Sequence, residues 1–249
     1  MSSKRFFINS AEIEGEVIQL TGEEHYHLSR VVRIRRGAMV DLFDEKGCCY
    51  RACVEHTGRE RTRLRLIEEN EPEIPRLRIV LAQSIIKSRK METALQKGTE
   101  LGVTTFIPIV THRSVIEPGL NSGKIARWQR ILREAMKQSG RSDPPEIKPV
   151  VQLSDFLETG GYGDKILLWE RKGKPLKEIL QARSEAGEKT TDDPDSVVVL
   201  VGPEGGWTEE EYQRIMNHGY TAVTLGRNVL RSETAAIAGV AMIAHFWNL

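Results

Sequence analysis

The segment Gly202–Gly206, with the sequence Gly-Pro-Glu-Gly-Gly, combines residue types that suit the binding of a small ligand. It follows the wholly apolar run Val197–Val201, which predicts a buried central strand, and it precedes a helix that Thr208 can cap. Ligands of open parallel sheets bind beyond the carboxyl ends of the strands, and glycines let the backbone approach them closely. We therefore predict a ligand-binding loop here, with a plain strand-to-helix turn as the alternative.

The segment Leu225–Ala235 also follows a predicted strand and opens a helix. Ser232 can cap that helix, and Glu233 is favourable in its first turn. Arg231 has no such explanation, because a cation at a helix N-terminus opposes the helix dipole. Its position therefore indicates a carboxylate or a bound ligand as its partner.

Basic residues are concentrated in one part of the chain. Residues 76–151 contain 14 Lys and Arg against 6 Asp and Glu, a local balance of +8, whereas the whole chain carries only +1. Concentrated positive charge suits a polyanion such as RNA, although a basic helix face is often simply solvated. The residues predicted to contact RNA are Arg61, Arg63 and Arg65 on one face of a strand, Arg127, Arg130 and Lys137 on one face of a helix, and Arg141 after that helix.

Composition and motifs exclude several classes of function. The apolar runs are shorter than the roughly 18 residues of a membrane helix, and Met1–Phe7 lacks the apolar core of a secretory signal. We therefore expect a cytoplasmic protein with no membrane partner. The cysteines Cys48, Cys49 and Cys53 have no second pair at zinc-finger spacing, so no metal is expected. The sequence contains neither the Gly-x-Gly-x-x-Gly motif of dinucleotide folds nor the Gly-x-x-x-x-Gly-Lys motif of NTPases.

The pattern of apolar residues predicts two domains. Most of the first 70 residues form short strand patterns, which predict a small, mainly β domain. Thr21 and Glu24 match a capping box and predict a helix over His25–Arg33 within it. Asn70–Pro75 predicts a linker, and after it strands and helices alternate, which predicts an α/β domain with a parallel sheet covered on both faces. The predicted domains are residues 1–71 and 76–249.

The last predicted helix, Ala235–Trp247, is apolar nearly all round. Such a helix is buried on every side, and its small residues allow close approach of another helix. The pattern is equally compatible with a core helix and with a helix in a subunit interface.

Together these features resemble the ribosomal RNA small subunit methyltransferase E family. The resemblance rests mainly on Gly-Pro-Glu-Gly-Gly after a valine-rich strand and on Leu-Gly-Arg-Asn-Val-Leu-Arg-Ser-Glu-Thr-Ala at Leu225–Ala235. Leu-Gln-Lys-Gly-Thr-Glu-Leu-Gly-Val at 95–103 and the stretch 127–141 match as well, so the resemblance covers essentially the whole chain.

The resemblance implies a SPOUT methyltransferase domain, an α/β fold whose C-terminal segment threads a loop into a trefoil knot, preceded by a PUA-like β-barrel that binds RNA. It implies a homodimer formed through the knotted region. It also implies methylation of N3 of one uridine in the decoding region of 16S rRNA, in the small ribosomal subunit, with S-adenosylmethionine (AdoMet) as cofactor. The AdoMet-binding residues that it implies are Leu168, Trp169, Glu170, Val201, Gly202, Pro203, Glu204, Gly205, Gly206, Leu225, Gly226, Val229, Leu230, Arg231, Thr234 and Ala235.

The chemistry of this reaction narrows the catalytic candidates. The sulfonium methyl donor is already activated and needs no metal, whereas N3–H of uracil is weakly acidic and must lose its proton. A carboxylate with an ordinary pKa of about 4 is a poor base for that proton. A cation can instead stabilise the uracil anion, so we predict this role for Arg231, with Glu204 or Glu233 orienting it or accepting the proton.

Two other functions remain compatible with the sequence. A SPOUT enzyme that methylates a ribose 2′-oxygen would share the knot and the glycines. A non-catalytic RNA-binding factor of ribosome assembly would share the basic residues, although it would have no use for intact AdoMet loops.

Overall fold

The computed structural model describes residues 5–71, 77–114, 122–171, 173–186 and 196–246. The chain divides into two compact units. The first comprises Met1–Pro75 with Arg133–Pro144, and the second comprises Arg76–Leu132 with Pro145–Leu249. Of the predicted linker Asn70–Pro75, residues 72–75 lie outside the described part of the chain.

A six-stranded sheet forms the body of the first unit. Its strands are β1 (Arg5–Phe7), β2 (Ile13–Glu14), β3 (Val17–Leu20), β4 (Met39–Phe43), β5 (Cys49–Thr57) and β6 (Thr62–Asn70). They pair in the order β1-β4-β5-β6-β3-β2, and alternate side chains such as Leu42, Ala52 and Leu64 are buried on one face. The described pairings leave β1 and β2 as two separate edges, so this sheet is open and does not close into a barrel.

The helical segment of the first unit differs from its prediction. The structure has a short helix α1 (Gly22–Tyr26) followed by a π-helical segment, His27–Val32. Thr21 makes no capping hydrogen bond to this helix, and its hydroxyl donates instead to Oε1 of Glu12 at 2.8 Å. The predicted capping box of Thr21 and Glu24 is therefore wrong, because a carboxylate from a preceding turn competes for the same hydroxyl.

The second unit contains a sheet in which every described pairing is parallel, as the alternation of strands and helices predicts. Its strands are β7 (Arg78–Ser84), β8 (Val103–Val110), β9 (Glu146–Ile147), β10 (Val151–Gln152), β11 (Asp164–Leu168), β12 (Lys174–Pro175), β13 (Ser196–Val201) and β14 (Thr221–Thr224). The main path of the sheet is β10-β8-β7-β13-β11-β14-β12, with β9 paired to β8.

Six helices accompany these strands in the described residues. They are α2 (Ser88–Glu100), α3 (Ser122–Ser139), α4 (Leu153–Glu158), α5 (Leu176–Ala186), α6 (Glu209–Asn217) and α7 (Ser232–Phe246). Thr208 caps α6 as predicted, and it forms a capping box with Glu211. Helix α3 crosses the division between the units, because its residues from Arg133 onward belong to the first unit.

Three adjacent strands end at the same level of the parallel sheet. The last residue of β11, Leu168, is in register with Val201 of β13 and with Val223 of β14. All six residues of β13 are buried, so this strand is the central one that its apolar sequence predicts. Since the carboxyl ends of these strands lie side by side, the loops that follow them meet at one edge of the sheet.

Helix α7 is only partly buried in the single chain. Ala236, Val240 and Ile243 are buried in the core of the second unit, whereas Met242 is 37% exposed. The core therefore accounts for one face of this apolar helix and leaves another face open.

Lys137 lies near the end of α3 and does not have the exposed position that its amphipathic pattern predicts. Its side chain is only 10% exposed, and its Nζ lies 2.7 Å from Oε1 of Glu24 and 2.6 Å from Oε1 of Glu134. Burial on its own lowers the pKa of the ammonium, but the hydrogen bonds and charges of Glu134 and Glu24 outweigh it and raise the pKa of Lys137. The exposed position on which the predicted RNA contact of Lys137 depends is therefore absent, because its charge is neutralised inside the first unit.

We expect Lys137→Ala to lower the free energy of unfolding by about 3 kcal/mol, because it leaves the carboxylate of Glu24 without its partner. A raised pKa contributes stability that is fully present below the ordinary lysine value of 10.5 and declines as the pH rises above it. Urea denaturation at several pH values measures both effects, with the exposed Arg130→Ala in the same helix as control. A loss below about 0.5 kcal/mol, the usual range for surface substitutions, would contradict this role.

Candidate functional site

The turn that follows β13 requires glycine at two positions. A Cβ at Gly202 would lie 2.8 Å from Nε1 of Trp207, whose indole N–H donates to the carbonyl of Leu168 at 3.3 Å. Gly206 has a φ of +70°, which favours glycine, and its N–H donates to the carbonyl of Pro203 at 3.0 Å. The Gly-Pro-Glu-Gly-Gly segment is thus a tight turn packed against Trp207.

The hydroxyl of Ser232 connects this turn to two other segments. Its Oγ donates to the carbonyl of Gly202 at 2.5 Å and accepts a hydrogen bond from Nε2 of Gln83 at 2.9 Å. Gln83 lies in β7 and is 1% exposed, and Ser232 is the first residue of α7. The hydroxyl predicted to cap α7 therefore joins α7 to the ends of β7 and β13.

A cavity of about 330 Å³ lies among the loops that follow β11, β13 and β14. This volume is at the lower end of the roughly 300–1,000 Å³ of small-molecule sites. Much of its wall is glycine backbone and aliphatic side chain, with a few polar groups. The lining residues are Lys90, Leu168, Trp169, Glu170, Val201, Gly202, Pro203, Glu204, Gly205, Gly206, Trp207, Val223, Thr224, Leu225, Gly226, Asn228, Val229, Leu230, Arg231, Ser232 and Ala235.

The structure brings the residues of the three predicted AdoMet loops together around this cavity, with one exception. Thr234 is exposed and does not line it, although the next residue, Ala235, does. Asn228 and Ser232 lie inside the predicted Leu225–Ala235 loop and could have been included on position alone. Sequence reasoning missed the remaining residues of the wall: Lys90, Trp207, Val223 and Thr224.

Gly205 accommodates a protein side chain as well as lining the cavity. A Cβ at this position would meet the Cβ of Arg113 at 3.1 Å, and Nη1 of Arg113 donates to the Gly205 carbonyl at 2.8 Å. The neighbouring N–H of His112 donates to Oε1 of Glu211 at 2.8 Å. The loop after β8 thus braces the glycine turn from outside, and no local sequence signal indicates this role for Arg113.

The three predicted catalytic residues have different environments. Arg231 is exposed at the cavity, and among the described residues its guanidinium forms no hydrogen bond or ion pair with a side chain. Glu204 also lines the cavity, and its Oε1 pairs with the ammonium of Lys90, which comes from α2. Glu233 does not line the cavity, and its Oε2 is buried without a hydrogen-bond partner in the described structure. The structure therefore brings Arg231 and Glu204 together at the cavity, whereas Glu233 does not line it.

The predicted RNA-contacting residues also divide into two groups. Arg61, Arg63 and Arg65 are exposed and alternate with buried residues, although Arg63 and Arg65 lie 3.2 and 3.3 Å from the carboxylate of Glu55. Arg127 and Arg130 are exposed on α3, with Arg127 paired to the carboxylate of Glu92 at 2.7 Å.

Arg141 belongs to the second group, with Lys137. Its side chain is only 8% exposed, and its Nη2 lies 2.5 Å from Oδ2 of Asp143. The guanidinium is thus buried against a carboxylate two residues away, and it lacks the exposure on which its predicted RNA contact depends.

The described residues show two further absences. They contain no group of three or more His, Cys, Asp or Glu side chains placed to hold a metal ion. None of the helices within them is both long and apolar enough to cross a membrane.

Comparison with known proteins places the chain among RNA methyltransferases. Residues 72–244 match the model of the RNA methyltransferase domain family. The ribosomal RNA small subunit methyltransferase E of Aquifex aeolicus is 32% identical over 95% of this chain and 98% of the relative. The enzyme of that name from Neisseria gonorrhoeae, crystallised with S-adenosyl methionine, is 31% identical, covers 98% of both chains and superposes with a TM-score of 0.84. A methyltransferase from Legionella pneumophila in complex with the same cofactor is 28% identical over 98% of this chain and 97% of that chain, also with a TM-score of 0.84.

We expect Ser232→Ala to lower the free energy of unfolding by about 1–3 kcal/mol, because it leaves the Gly202 carbonyl unsatisfied and removes one acceptor from the buried Gln83 amide. Ser154→Ala is the matched control, since Ser154 is exposed and its hydroxyl contacts only the neighbouring Asp155. Urea denaturation of both variants measures the difference. Equal stability of the two variants would show that Ser232 does not tie the loops together.

Proposed function

This chain belongs to the ribosomal RNA small subunit methyltransferase E family, and from that premise we propose that it methylates N3 of one uridine in the decoding region of 16S rRNA. AdoMet is the methyl donor. The observation that carries the proposal is the cavity at the aligned ends of β11, β13 and β14, which is walled by glycine backbone and bordered by a cation, Arg231.

The residues of the cavity fit AdoMet. Leu168, Val223 and Leu230 offer aliphatic surface to an adenine ring, and the backbone of Gly226 approaches the ligand without a side chain in the way. The Glu170 carboxylate supplies an acceptor for hydroxyl or ammonium groups. When bound, AdoMet supplies an activated methyl group, so the protein itself has to position the uracil and manage its N3 proton.

Arg231 is the group that makes the uracil a better nucleophile. One positive charge at 4 Å stabilises an anion by roughly 4 kcal/mol at an effective dielectric of 20, which corresponds to about three pKa units of the uracil. Arg231 is suited to this role because no described carboxylate neutralises it. Its guanidinium donates to the uracil carbonyl oxygens as negative charge develops on them.

Glu204 accepts the N3 proton of the uracil. It lines the same cavity, and its contact with Lys90 holds the carboxylate at one place on the cavity wall. As the cation lowers the pKa of N3–H, a carboxylate becomes an adequate acceptor for the proton. Glu233 supports the site from behind by its place in the first turn of α7, where a negative charge is favourable.

RNA recognition is distributed over both parts of the chain. Residues 1–71, together with the Arg133–Pro144 segment of the same unit, form the RNA-binding domain, of PUA-like type. The rest of residues 76–249 forms the methyltransferase domain, with the trefoil knot of the SPOUT fold. The exposed guanidinium groups of Arg61, Arg63, Arg65, Arg127 and Arg130 contact phosphates of 16S rRNA in the small ribosomal subunit. Lys137 and Arg141 are left out because both are buried in ion pairs.

The enzyme works as a homodimer in the cytoplasm. Support for the dimer comes from the exposed apolar residues of the second unit, Val229 at 76% and Met242 at 37%, which lie beside the cavity and on α7 respectively. Covering them with a second copy of the chain removes apolar surface from water at the site itself.

The proposed reaction makes a simple genetic prediction. We expect 16S rRNA from cells that lack this gene to contain unmodified uridine at one decoding-region position, and the wild-type gene to restore N3-methyluridine there. Nucleoside analysis by mass spectrometry after site-specific digestion measures this. A 2′-O-methylated product would identify the ribose-directed alternative, and an unchanged rRNA would contradict an rRNA methyltransferase.

A second prediction concerns the rate of the chemical step. We expect Arg231→Ala to reduce single-turnover methylation at saturating RNA by about a hundredfold or more, as for lost oxyanion donors. The remaining rate should rise more steeply with pH, because the uracil then ionises at its own higher pKa. Arg227→Ala is the matched control, since Arg227 is exposed in the same loop and does not line the cavity.

The pH series separates the possible roles of Arg231. Equal rates for wild type and Arg231→Ala would remove Arg231 from the mechanism. A reduced rate with an unchanged pH profile would restrict it to positioning and leave the proton to Glu204 alone.

A further inference from the structure

A second cavity, of about 510 Å³, lies within the first unit. It opens on the face of the β1–β6 sheet opposite to the apolar core, and its wall is completed by Gly140 and Ser142 of the Arg133–Pro144 segment. We propose that this cavity receives one unpaired guanine base of the RNA substrate. The inference rests on the proposed function in that it takes the substrate to be RNA.

Four charged residues form a single row across the strands at this cavity. Arg5 of β1 is in register with Asp41 of β4, Asp41 with Arg51 of β5, and Arg51 with Glu68 of β6. The charges therefore alternate in sign on one face of the sheet, and all four residues line the cavity. Neighbouring strands are about 4.8 Å apart, yet within the described residues none of the four side chains forms an ion pair with another. Such a row presents both donors and acceptors to a ligand.

Arg5 is the deepest of the four residues. It is 9% exposed, its guanidinium lies 4.9 Å from the centre of the Phe43 ring, and its Nη2 donates to the thiol of Cys49 at 3.6 Å. A thiol is a weak acceptor for a group with five N–H donors, and a buried charge without a strong partner is costly. Among the described residues, the guanidinium of Arg5 thus has no oxygen or nitrogen acceptor within this cavity.

Guanine has the complementary arrangement of polar atoms. O6 and N7 of guanine accept hydrogen bonds from a guanidinium, as in its commonest contact with arginine. N1–H and the exocyclic amino group donate, and a carboxylate such as Asp41 or Glu68 accepts from both. Adenine lacks O6 and offers an amino group at that position, which would face the donors of Arg5 or Arg51. Unpaired bases in single-stranded RNA are recognised on these edges.

The exposed arginines of β6 lie on the same strand face as Glu68 of the cavity. The register of β5 and β6 skips Ile67, and this bulge brings Glu68 to the same face as Arg65 and Arg63. Glu68 lies three positions after Arg65 along the strand, a distance of roughly 10 Å. An RNA strand whose phosphates contact Arg63 and Arg65 can therefore place a neighbouring base in the cavity.

The test uses the full chain and two seven-nucleotide RNAs, uridine tracts with a single central guanosine or adenosine. A bidentate contact discriminates by about 1–3 kcal/mol, so fluorescence anisotropy should show at least about fivefold tighter binding of the guanosine RNA. Glu68→Gln should abolish this preference. Glu69→Gln is the matched control, because it removes the same charge from the next residue, which does not line the cavity, and should retain the preference.

A second pair of variants checks the arginines. Arg51→Gln should lose the preference for the guanosine RNA. Arg65→Gln should weaken the binding of both RNAs equally, because it removes a phosphate contact. Equal affinity of the wild-type protein for the two RNAs, no binding of either, or a preference unchanged by Glu68→Gln and Arg51→Gln overturns the proposal. If the protein methylates 16S rRNA but binds the two short RNAs with equal affinity, only the guanine proposal fails. If it prefers the guanosine RNA but does not methylate 16S rRNA, only the proposed function fails.

Discussion

The hydrogen bonds of Ser232 hold the candidate active site together. One buried hydroxyl binds the Gly202 carbonyl and the Gln83 amide, so the start of α7, the turn after β13 and the end of β7 keep fixed positions. The parallel sheet already brings the ends of β11, β13 and β14 to one edge. The hydroxyl adds the constraint that turns neighbouring loops into the walls of one cavity, and such preorganisation reduces the entropy lost when a cofactor binds.

Among the described residues, three cations lie in the wall of this cavity or contact it, and they differ in their partners. The Arg113 guanidinium donates to the Gly205 carbonyl and braces the glycine turn, and the Lys90 ammonium is neutralised by Glu204. Arg231 has no carboxylate partner in the described structure, so its donors remain available to a ligand. A charge held in advance at such a site stabilises an anion that forms during the reaction more than it stabilises a neutral ground state, and this difference is what accelerates a chemical step.

Some of the basic residues are exposed and others are buried, and a count of basic residues does not distinguish the two groups. Lys137 and Arg141 contribute to the basic excess of residues 76–151, yet both are buried against carboxylates. Arg63 and Arg65 lie on an exposed strand face, and their ion pairs with Glu55 are open to solvent. Burial is decided by which segments pack together, so the same residue type is held in a buried ion pair in one place and exposed to solvent in another.

The sequence by itself determined the features that depend on neighbouring residues. The apolar run Val197–Val201 forms the central strand, and Thr208 forms a capping box with Glu211. Both features depend on only a few consecutive residues, because the period of the apolar residues and the capping hydrogen bonds are local. The same capping pattern failed at Thr21, where a carboxylate outside the local window takes the hydroxyl.

Only the tertiary structure decided contacts between distant segments. Lys90 meets Glu204 across 114 residues of chain, and Lys137 meets Glu24 across 113. The short strands β9 and β10 pair with different parts of the same strand, β8, and this division is set by the sheet. Periodicity specifies which face of an element is buried, but the partner of that face is fixed by the packing of the whole chain, and this information is not contained in any short stretch of residues.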